Sequence, residues 1–391
     1  MRFHQKGNLS LPTTTATSFG ALGLSGATLL AITEAGFVEP TPIQAQAIPA
    51  CLQGRDVVGC AQTGTGKTAA FVIPMIERLA DGPGGPPRGL ILAPTRELAI
   101  QIQETVDQLG RNRQVCATII VGGEDMQAQL RGLRQHPTII VATPGRLLDH
   151  MWNGTISLAH FTIVVLDEAD RMLDMGFAPQ LNQILDALPD ERQTLLFSAT
   201  MPTDLGTLAR VCVKDPVRVM VGKPATPVAG VTQTVHHTRF EDKTPLLLAL
   251  LKEPDESVLV FTRTKHGADR LGRALERGGH RVAVLHGDRG MSQRRATLDG
   301  FRRGKFRILV ATDIAARGID VANIAHVINY DLPHSPEDYV HRIGRTARMK
   351  AVGRATSFVT ADDQHQIRSI EKLLGRPVPL ATKKPVLTRP H

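Results

Sequence analysis

Residues 61–68 read Ala61-Gln62-Thr63-Gly64-Thr65-Gly66-Lys67-Thr68, and Asp167-Glu168-Ala169-Asp170 directly follows the apolar run Ile163-Val164-Val165-Leu166. No other feature constrains the chain as much as this pair. A glycine-rich loop ending in Gly-Lys-Thr turns backbone N–H groups toward phosphate oxygens, with Lys67 placed for the outer phosphates and Thr68 for Mg²⁺. Such a loop needs a strand before it and a helix after it. Asp56-Val57-Val58-Gly59 reads as the strand and residues 68–79 as the helix, whose N-terminus is a natural anion site. The loop begins with Ala61 where the general pattern has Gly. Asp167 and Glu168 end a run that reads as a buried strand, the edge where open α/β sheets place their ligand chemistry. One carboxylate can hold the metal while the next takes a proton from an attacking water. A helix N-terminal acid pair is the alternative. Two acids at the end of a buried strand need a compensating cation, which favours the metal reading. The two segments together imply hydrolysis of a nucleoside triphosphate.

The rest of the chain supplies the frame. Strand-like runs occur at residues 89–93, 118–121, 138–141, 163–166 and 193–197, and again at 257–261, 281–285, 307–310 and 326–329, with helical stretches between them. This alternation predicts βαβ units around parallel sheets. The segment Asp81-Gly82-Pro83-Gly84-Gly85-Pro86-Pro87 reads as a surface loop. The small, Pro- and Gly-bearing stretch from Val221 to Gly230 reads as a linker. The expected organisation is therefore a flexible leader over 1–17, a first α/β domain over 18–221 and a linker over 222–230. A second α/β domain over 231–375 and a short basic tail over 376–391 complete it. Each domain is expected to be a mostly parallel sheet flanked by helices. Only the first holds a phosphate loop, so the ligand is expected between the two.

With 391 residues the chain exceeds one ordinary core. A net charge of +9 favours a polyanionic partner without identifying it. Cys51, Cys60, Cys116 and Cys212 form no Cys-x-x-Cys pair and read as reduced structural thiols. No run of 18 apolar residues and no signal-like N-terminus is present, so a membrane location is not expected. His236-His237 and His286-Gly287-Asp288 lack a third ligand at useful spacing, so a metal reading is not favoured. Aromatic residues are 4% of the chain, which argues against base stacking on an aromatic platform and for backbone contact.

In the second half, His341-Arg342-Ile343-Gly344-Arg345-Thr346-Ala347-Arg348 is strongly basic. If it is helical, Arg345 and Arg348 share a face. The segment is either a solvated basic patch facing phosphates or a pair of arginine fingers reaching the nucleotide from the opposite domain.

The chain resembles the DEAD-box RNA helicases, whose motifs occur in family order from Phe19 to about residue 375. Gly36-Phe37-Val38-Glu39-Pro40-Thr41-Pro42-Ile43-Gln44 is similar to the adenine-reading motif, with Phe19 as its isolated aromatic. Ala61 is usual there. Pro94-Thr95-Arg96-Glu97-Leu98, Gly122-Gly123 and Thr143-Pro144-Gly145-Arg146 match RNA-contacting motifs. Ser198-Ala199-Thr200 matches the motif coupling hydrolysis to unwinding. Val260-Phe261-Thr262-Arg263, residues 311–320 and residues 341–348 match those of the second domain. Within the family, residues 19–24 and 311–320 resemble the bacterial RhlE-like branch.

The resemblance implies two tandem RecA-like domains and an ATP-dependent, RNA-stimulated, local and non-processive unwinding of RNA. It implies that Lys67, Asp167, Glu168, His341, Arg345 and Arg348 are catalytic, with Arg345 and Arg348 as fingers and His341 bridging to the acids. Nucleotide contacts are expected from Phe19, Phe37, Gln44, Thr63, Gly64, Thr65, Gly66, Lys67 and Thr68. Asp320 is expected at the ribose, and Thr68 and Asp167 at Mg²⁺. Gln44 suits adenine because an amide offers both a donor and an acceptor. Phe37 either stacks on the base or acts as a hydrophobic staple. Arg96, Gly123, Thr143, Arg146, Arg263, Gly287, Arg294 and Thr312 are expected along the RNA backbone, with Ser198 and Thr200 in coupling. A cytoplasmic monomer acting on RNA, in ribosomal or RNA-decay assemblies, is the expected setting.

Two positions depart from the family pattern. Met291 stands where a Gln is common three residues before Arg294, which puts that Gln's contact in doubt. Ala347 replaces a Gly and adds only a methyl group. A DNA translocase with the same motor and an ATP-gated RNA clamp are the competing readings. The ratio of RNA to DNA stimulation tests the first. RNA retention set against strand displacement tests the second.

Overall fold

The computed structural model describes residues 18–62, 64–80, 85–201, 203–221, 230–251, 256–313, 324–346 and 353–381. The first half is built on a seven-stranded, wholly parallel sheet. Its strands are β1 (Val57–Ala61), β2 (Gly89–Leu92), β3 (Ala117–Ile120), β4 (Ile139–Ala142), β5 (Ile163–Leu166), β6 (Gln193–Ser198) and β7 (Val217–Val221). They lie in the order β3-β4-β2-β5-β6-β1-β7. Helices α1 (Gly26–Glu34), α2 (Pro42–Leu52), α3 (Lys67–Leu79) and α4 (Arg96–Gly110) contribute to the layer on one face. On the other face, α6 (Pro144–Trp152), α8 (Ala178–Ala187) and α9 (Thr203–Cys212) do the same. α5 (Met126–Leu133) lies beside the edge strand, and α7 (Ala169–Asp174) follows the acids. Strands buried on both faces read as unbroken apolar runs, which is why β1, β4 and β5 were legible.

The second half repeats the plan with six parallel strands in the order β10-β11-β9-β12-β13-β8. These are β8 (Val231–His237), β9 (Val258–Thr262), β10 (Val282–Leu285), β11 (Ile308–Thr312), β12 (His326–Asn329) and β13 (Gly353–Val359). The helices are α10 (Lys243–Leu250), α11 (Lys265–Arg277), α12 (Met291–Arg302), α13 (Pro336–Ile343) and α14 (Gln364–Leu374). The linker reading falls on residues 222–229, outside those described, as do most of the 81–87 loop, the leader and residues 382–391.

The sheet order places the chemistry. β6 lies between β1 and β5, with Cys60 level with Ser198 and Leu166 level with Leu196. The phosphate loop, Ser198-Ala199-Thr200 and Asp167-Glu168 therefore leave three adjacent strands at the same edge. Close packing secures this order. A Cβ on Gly59 would come within 2.6 Å of the Phe197 ring, so β1 lies against that side chain only because it carries glycine there.

Candidate nucleotide and RNA site

Gly66 ends the phosphate loop with φ of 87°, and Gly64 has φ of 81°, both in the left-handed region that favours glycine. α3 begins at Lys67 with no side chain capping it, which leaves first-turn N–H groups for an anion. Lys67 is buried, and its Nζ donates to the Ala61 carbonyl at 2.5 Å and the Ser198 carbonyl at 3.4 Å. Thr65 Oγ1 donates to the Gln62 carbonyl at 2.7 Å. Thr63 lies outside the described residues.

Gln44 is 1% exposed and sits directly behind this loop. Its Oε1 accepts from Thr41 N at 2.9 Å, and its Nε2 donates to the Gly66 carbonyl at 3.1 Å. A primary amide has two N–H groups and two lone pairs, so one of each remains for a ligand. Phe37 meets Phe19 edge to face at 6.3 Å and, partly buried, packs against the core. Phe19 itself is buried.

Asp167 is 2% exposed, and its Oδ1 accepts from Glu168 N at 2.9 Å. Burial, and then the neighbouring Glu168 charge, push its carboxyl up to about 7. An acid so placed suits a divalent cation, and the site fits Mg²⁺ on that ground. Glu168 holds a left-handed backbone, φ 48°, unusual for a residue with a Cβ. Its Oε2 is buried without a hydrogen-bond partner, its nearest cation being Arg171 at 3.8 Å. Asp170 Oδ2 accepts from Ala199 N at 3.2 Å, Thr200 N at 2.9 Å and Thr200 Oγ1 at 2.8 Å. Ser198 Oγ donates to the Thr200 carbonyl at 2.6 Å. Burial works against the Asp170 charge, but His341, the Thr200 hydroxyl and Lys67 outweigh it and keep its pKa below the ordinary value. The third acid thus ties the strand that carries Asp167 to the end of β6.

The second half closes over these acids. His341, on α13, is half-buried beside Arg171, Asp170, Glu168 and Arg345, and desolvation followed by Arg171 pushes its pKa down to about 4. Arg171 Nη2 donates to Asp338 across the junction at 3.3 Å. Arg345 is buried and lines a small cavity with Arg171, Asp338, His341 and Arg342. Arg345 itself lies outside a helix. α13 ends at Ile343, Gly344 caps it, and Arg345 lies in the turn beyond. A glycine at that point favours termination. Arg348 and Asp320 lie outside the described residues, as does Ala347. Arg342 grips Asp313 with Nε at 2.6 Å and Nη2 at 2.7 Å, and also donates to Asn329 at 3.0 Å. It stacks on Phe261 at 4.8 Å, and so anchors the basic segment inside its own domain.

The residues expected along RNA form two groups. In the first half, the Arg96 guanidinium lies so near Gly123 that a Cβ there would meet it at 2.2 Å. Arg146 Nη1 donates to the Glu124 carbonyl at 3.0 Å, and Thr143 caps α6. Arg96 and Arg146 therefore border the 122–124 loop, of which Gly123 is part. In the second half, Thr312 ends β11 level with Thr262, and Gly287 follows β10 with open space where a side chain would be. Arg263 is partly exposed and reaches Asp363 at 3.3 Å. Arg294 differs from the rest. Its Nε donates to Glu97 Oε1 at 2.5 Å and its Nη1 to the His286 carbonyl at 3.1 Å, and both partners of the ion pair are buried. It is an interdomain tie. Met291 opens α12, and its side chain is not described. Sequence reasoning missed Glu97, Arg171 and Asp338 as junction residues, because nothing in a helical charge pattern distinguishes a solvated charge from one that waits for another domain. His286 pairs with Asp269 at 3.2 Å and His236 packs on Phe358, and among the described residues no group of three or more His, Cys, Asp or Glu side chains is gathered to hold a metal ion.

A profile for the DEAD/DEAH box helicase domain matches residues 41–208, and one for the helicase conserved C-terminal domain matches residues 242–350. The DEAD-box ATP-dependent RNA helicase CshA of Geobacillus kaustophilus is 45% identical over 361 residues, covering 92% of this chain and 77% of that protein. The Bacillus subtilis CshA is 43% identical over 361 residues, covering 92% and 73%. Saccharomyces cerevisiae Dbp5 bound to RNA and ADP BeF3 is 33% identical with a TM-score of 0.82, covering 93% of this chain and 96% of that one. A DEAD box protein from Methanococcus jannaschii is 37% identical with a TM-score of 0.54, covering 94% and 99%. The two parallel sheets carry the RecA-like helicase architecture, and the chain belongs to the DEAD-box ATP-dependent RNA helicases, enzymes that hydrolyse ATP and unwind or remodel RNA.

Proposed function

We propose that the ATPase site is split between the two halves and is assembled only when they close. The observation that carries this reading is the approach of half-buried His341 to Glu168, Asp170 and Arg171, with buried Arg345 lining the same small cavity as Arg171. ATP would seat its phosphates on the 64–68 loop, with Lys67 turning from the Ala61 and Ser198 carbonyls to the outer phosphates. Gln44 would read adenine with its remaining donor and acceptor, beside Phe37 and Phe19, and Asp320 would meet the ribose. Thr68 and Asp167 are the residues to hold Mg²⁺, whose charge would polarise the phosphates. Glu168 Oε2, an acceptor without a hydrogen bond, would take the proton of the attacking water. Arg345 and Arg348 would offset charge on the transferred phosphoryl group. Asp170 links the acids to Ser198 and Thr200 on one side and faces His341 on the other. Closure at the nucleotide would thus reach the end of β6.

RNA would lie along Arg96, Gly123, Thr143 and Arg146 and then along Arg263, Gly287 and Thr312. Contacts of this kind position a backbone and carry no sequence information. Arg294 would act as a clasp on Glu97. Strand separation would be local and non-processive, since closure on one strand excludes its partner. Among the described residues no helix is long and apolar enough to cross a membrane. A cytoplasmic monomer in ribosomal or RNA-decay assemblies is the setting we infer. The RhlE-like placement rests on the spelling of residues 19–24 and 311–320 alone. Glu168→Gln tests the site. ATP and RNA binding should persist while steady-state turnover falls by roughly a hundredfold, the scale of a lost general base. Unchanged turnover would remove Glu168 from the mechanism.

A further inference from the structure

Val121 lies one residue beyond β3. The last rung of that ladder is closed by Thr143 N donating to the Ile120 carbonyl at 2.9 Å. Val121 is wholly buried, so its own carbonyl needs another donor. Gln129 on α5, 5% exposed, supplies one through Nε2 at 2.8 Å. Gln129 Oε1 in turn faces His150 Nε2 at 3.2 Å, and His150 Nδ1 faces Thr155 Oγ1 at 2.8 Å. Gln129 donates to the carbonyl, and its Oε1 then accepts from His150 Nε2–H. The Thr155 hydroxyl, which also lies 2.9 Å from the His150 carbonyl, has one proton, and when it turns that proton to Nδ1 the ring is neutral. Burial lowers its pKa, the Arg146 charge lowers it further, and Asp149 opposes weakly.

This relay spans two segments that border the proposed RNA path. One is the 122–124 loop, against which Arg96 lies. The other is α6, which opens at Thr143 and carries Arg146. Between them stands α5, itself fixed at two points. Asp125 caps its first turn through Gln127 N at 3.1 Å and Ala128 N at 3.2 Å. Gly132 lets it lie on the sheet, where a Cβ would come within 2.9 Å of Thr118. Buried polar groups cost desolvation that apolar side chains of the same size would not. Fully satisfied, they hold one arrangement where an apolar contact tolerates sliding.

We propose that the His150–Gln129 relay is a positioning device that sets the spacing between the Gly122-Gly123 loop and α6. Through that spacing it aligns Arg96 and Arg146 on the RNA backbone. This rests on the reading that those arginines contact RNA. His150 and Gln129 are positioning residues, buried and acting through the segments they tie.

The test uses the full chain, with RNA-stimulated ATPase titrated against a single-stranded RNA. His150→Phe should raise the RNA concentration for half-maximal rate by about tenfold, the equivalent of one net hydrogen bond. The rate at saturating RNA and the RNA-free affinity for ATP should stay within about twofold. His150→Gln, whose amide can donate to Gln129 and accept from Thr155, should recover most of the loss. A parallel fall in ATP affinity, or no recovery with Gln, would indicate general loosening and overturn the proposal. If His150→Phe does not fold, Gln129→Met carries the same expectations. Arg146→Ala separates the two levels. If it weakens RNA while His150→Phe does not, the relay is wrong and the RNA reading stands. If Arg146→Ala leaves RNA binding intact, the RNA reading fails and the relay falls with it.

Discussion

Removing the Glu97 carboxylate gives opposite results for the two roles Arg294 could have. Both side chains are buried in the closed arrangement, at 6% exposure for Arg294 and 8% for Glu97, and they belong to different halves. When the halves separate, each charge regains water. The pair therefore contributes to closure and not to the fold of either half. In Glu97→Ala the Arg294 guanidinium keeps its hydrogen bond to the His286 carbonyl at 3.1 Å but loses its buried counter-charge on closing. Leaving one partner of a buried pair uncompensated costs about 3 kcal/mol. That corresponds to roughly a hundredfold weaker binding of RNA by the closed state. Glu97→Gln keeps an acceptor and loses the charge, which costs about 1 kcal/mol, or roughly fivefold. If Arg294 gripped an RNA phosphate instead, Glu97 would compete for it, and its removal would tighten RNA binding. Fluorescence titration of labelled single-stranded RNA, with and without a non-hydrolysable ATP analogue, reads the sign. Loss should appear only with the nucleotide. Unchanged or tighter binding by Glu97→Ala in its presence would refute the clasp.

Arg348→Ala should lower the ATPase rate at saturating RNA by about a thousandfold, the scale of a missing finger, with little change in RNA-free nucleotide affinity. A near-normal saturated rate would show a mere RNA contact. Asp167, with its carboxyl raised to about 7, keeps a proton in the folded chain at a pH where the unfolded chain has released it. Its contribution to stability therefore falls as pH rises from the ordinary carboxylate value toward 7 and is least above that. Asp167→Asn should then melt about 3 °C higher than the parent at pH 8 in the absence of nucleotide while losing ATPase. A melting point no higher than the parent's would contradict the burial argument. Residues 1–222 alone should bind ATP weakly and hydrolyse almost none with or without RNA, and RNA-stimulated turnover by that fragment would show that one half suffices.

What the sequence displayed of this molecule follows a physical pattern. The strands buried on both faces, such as Ile163–Leu166, stood out as apolar runs and end where expected, because burial on two sides demands apolar residues at consecutive positions. β7, β8 and β13 were not foreseen. β7 and β8 alternate burial and exposure as edge strands, so a search for apolar runs passes over Val-Arg-Val-Met-Val. The phosphate loop and acids were legible because their spacing carries the chemistry itself. The ties at Glu97, Arg171 and Asp338 were not, since their partners lie in the other half and no local pattern records them. Gln129 and His150 were hidden for a related reason. Each is one polar residue on an otherwise ordinary amphipathic helix, and what makes it unusual is a carbonyl eight residues back or a side chain 21 residues away.

The position of β1 between β6 and β7 has a consequence for how the chain is made. The strand that carries the phosphate loop ends at residue 61, yet one neighbour is complete only at residue 198 and the other at residue 221. On a translating ribosome that strand waits while 137 residues are added before β6 is complete (198 − 61). At about 5–20 residues per second this takes on the order of ten to thirty seconds. Throughout that time it has no lateral partner from its own sheet, and five consecutive apolar or small residues stand ready for any other exposed edge. ATP is then a ligand of the finished first half and cannot template its assembly. The nascent chain depends on α2 and α3, which emerge beside the strand, to cover it until β6 arrives.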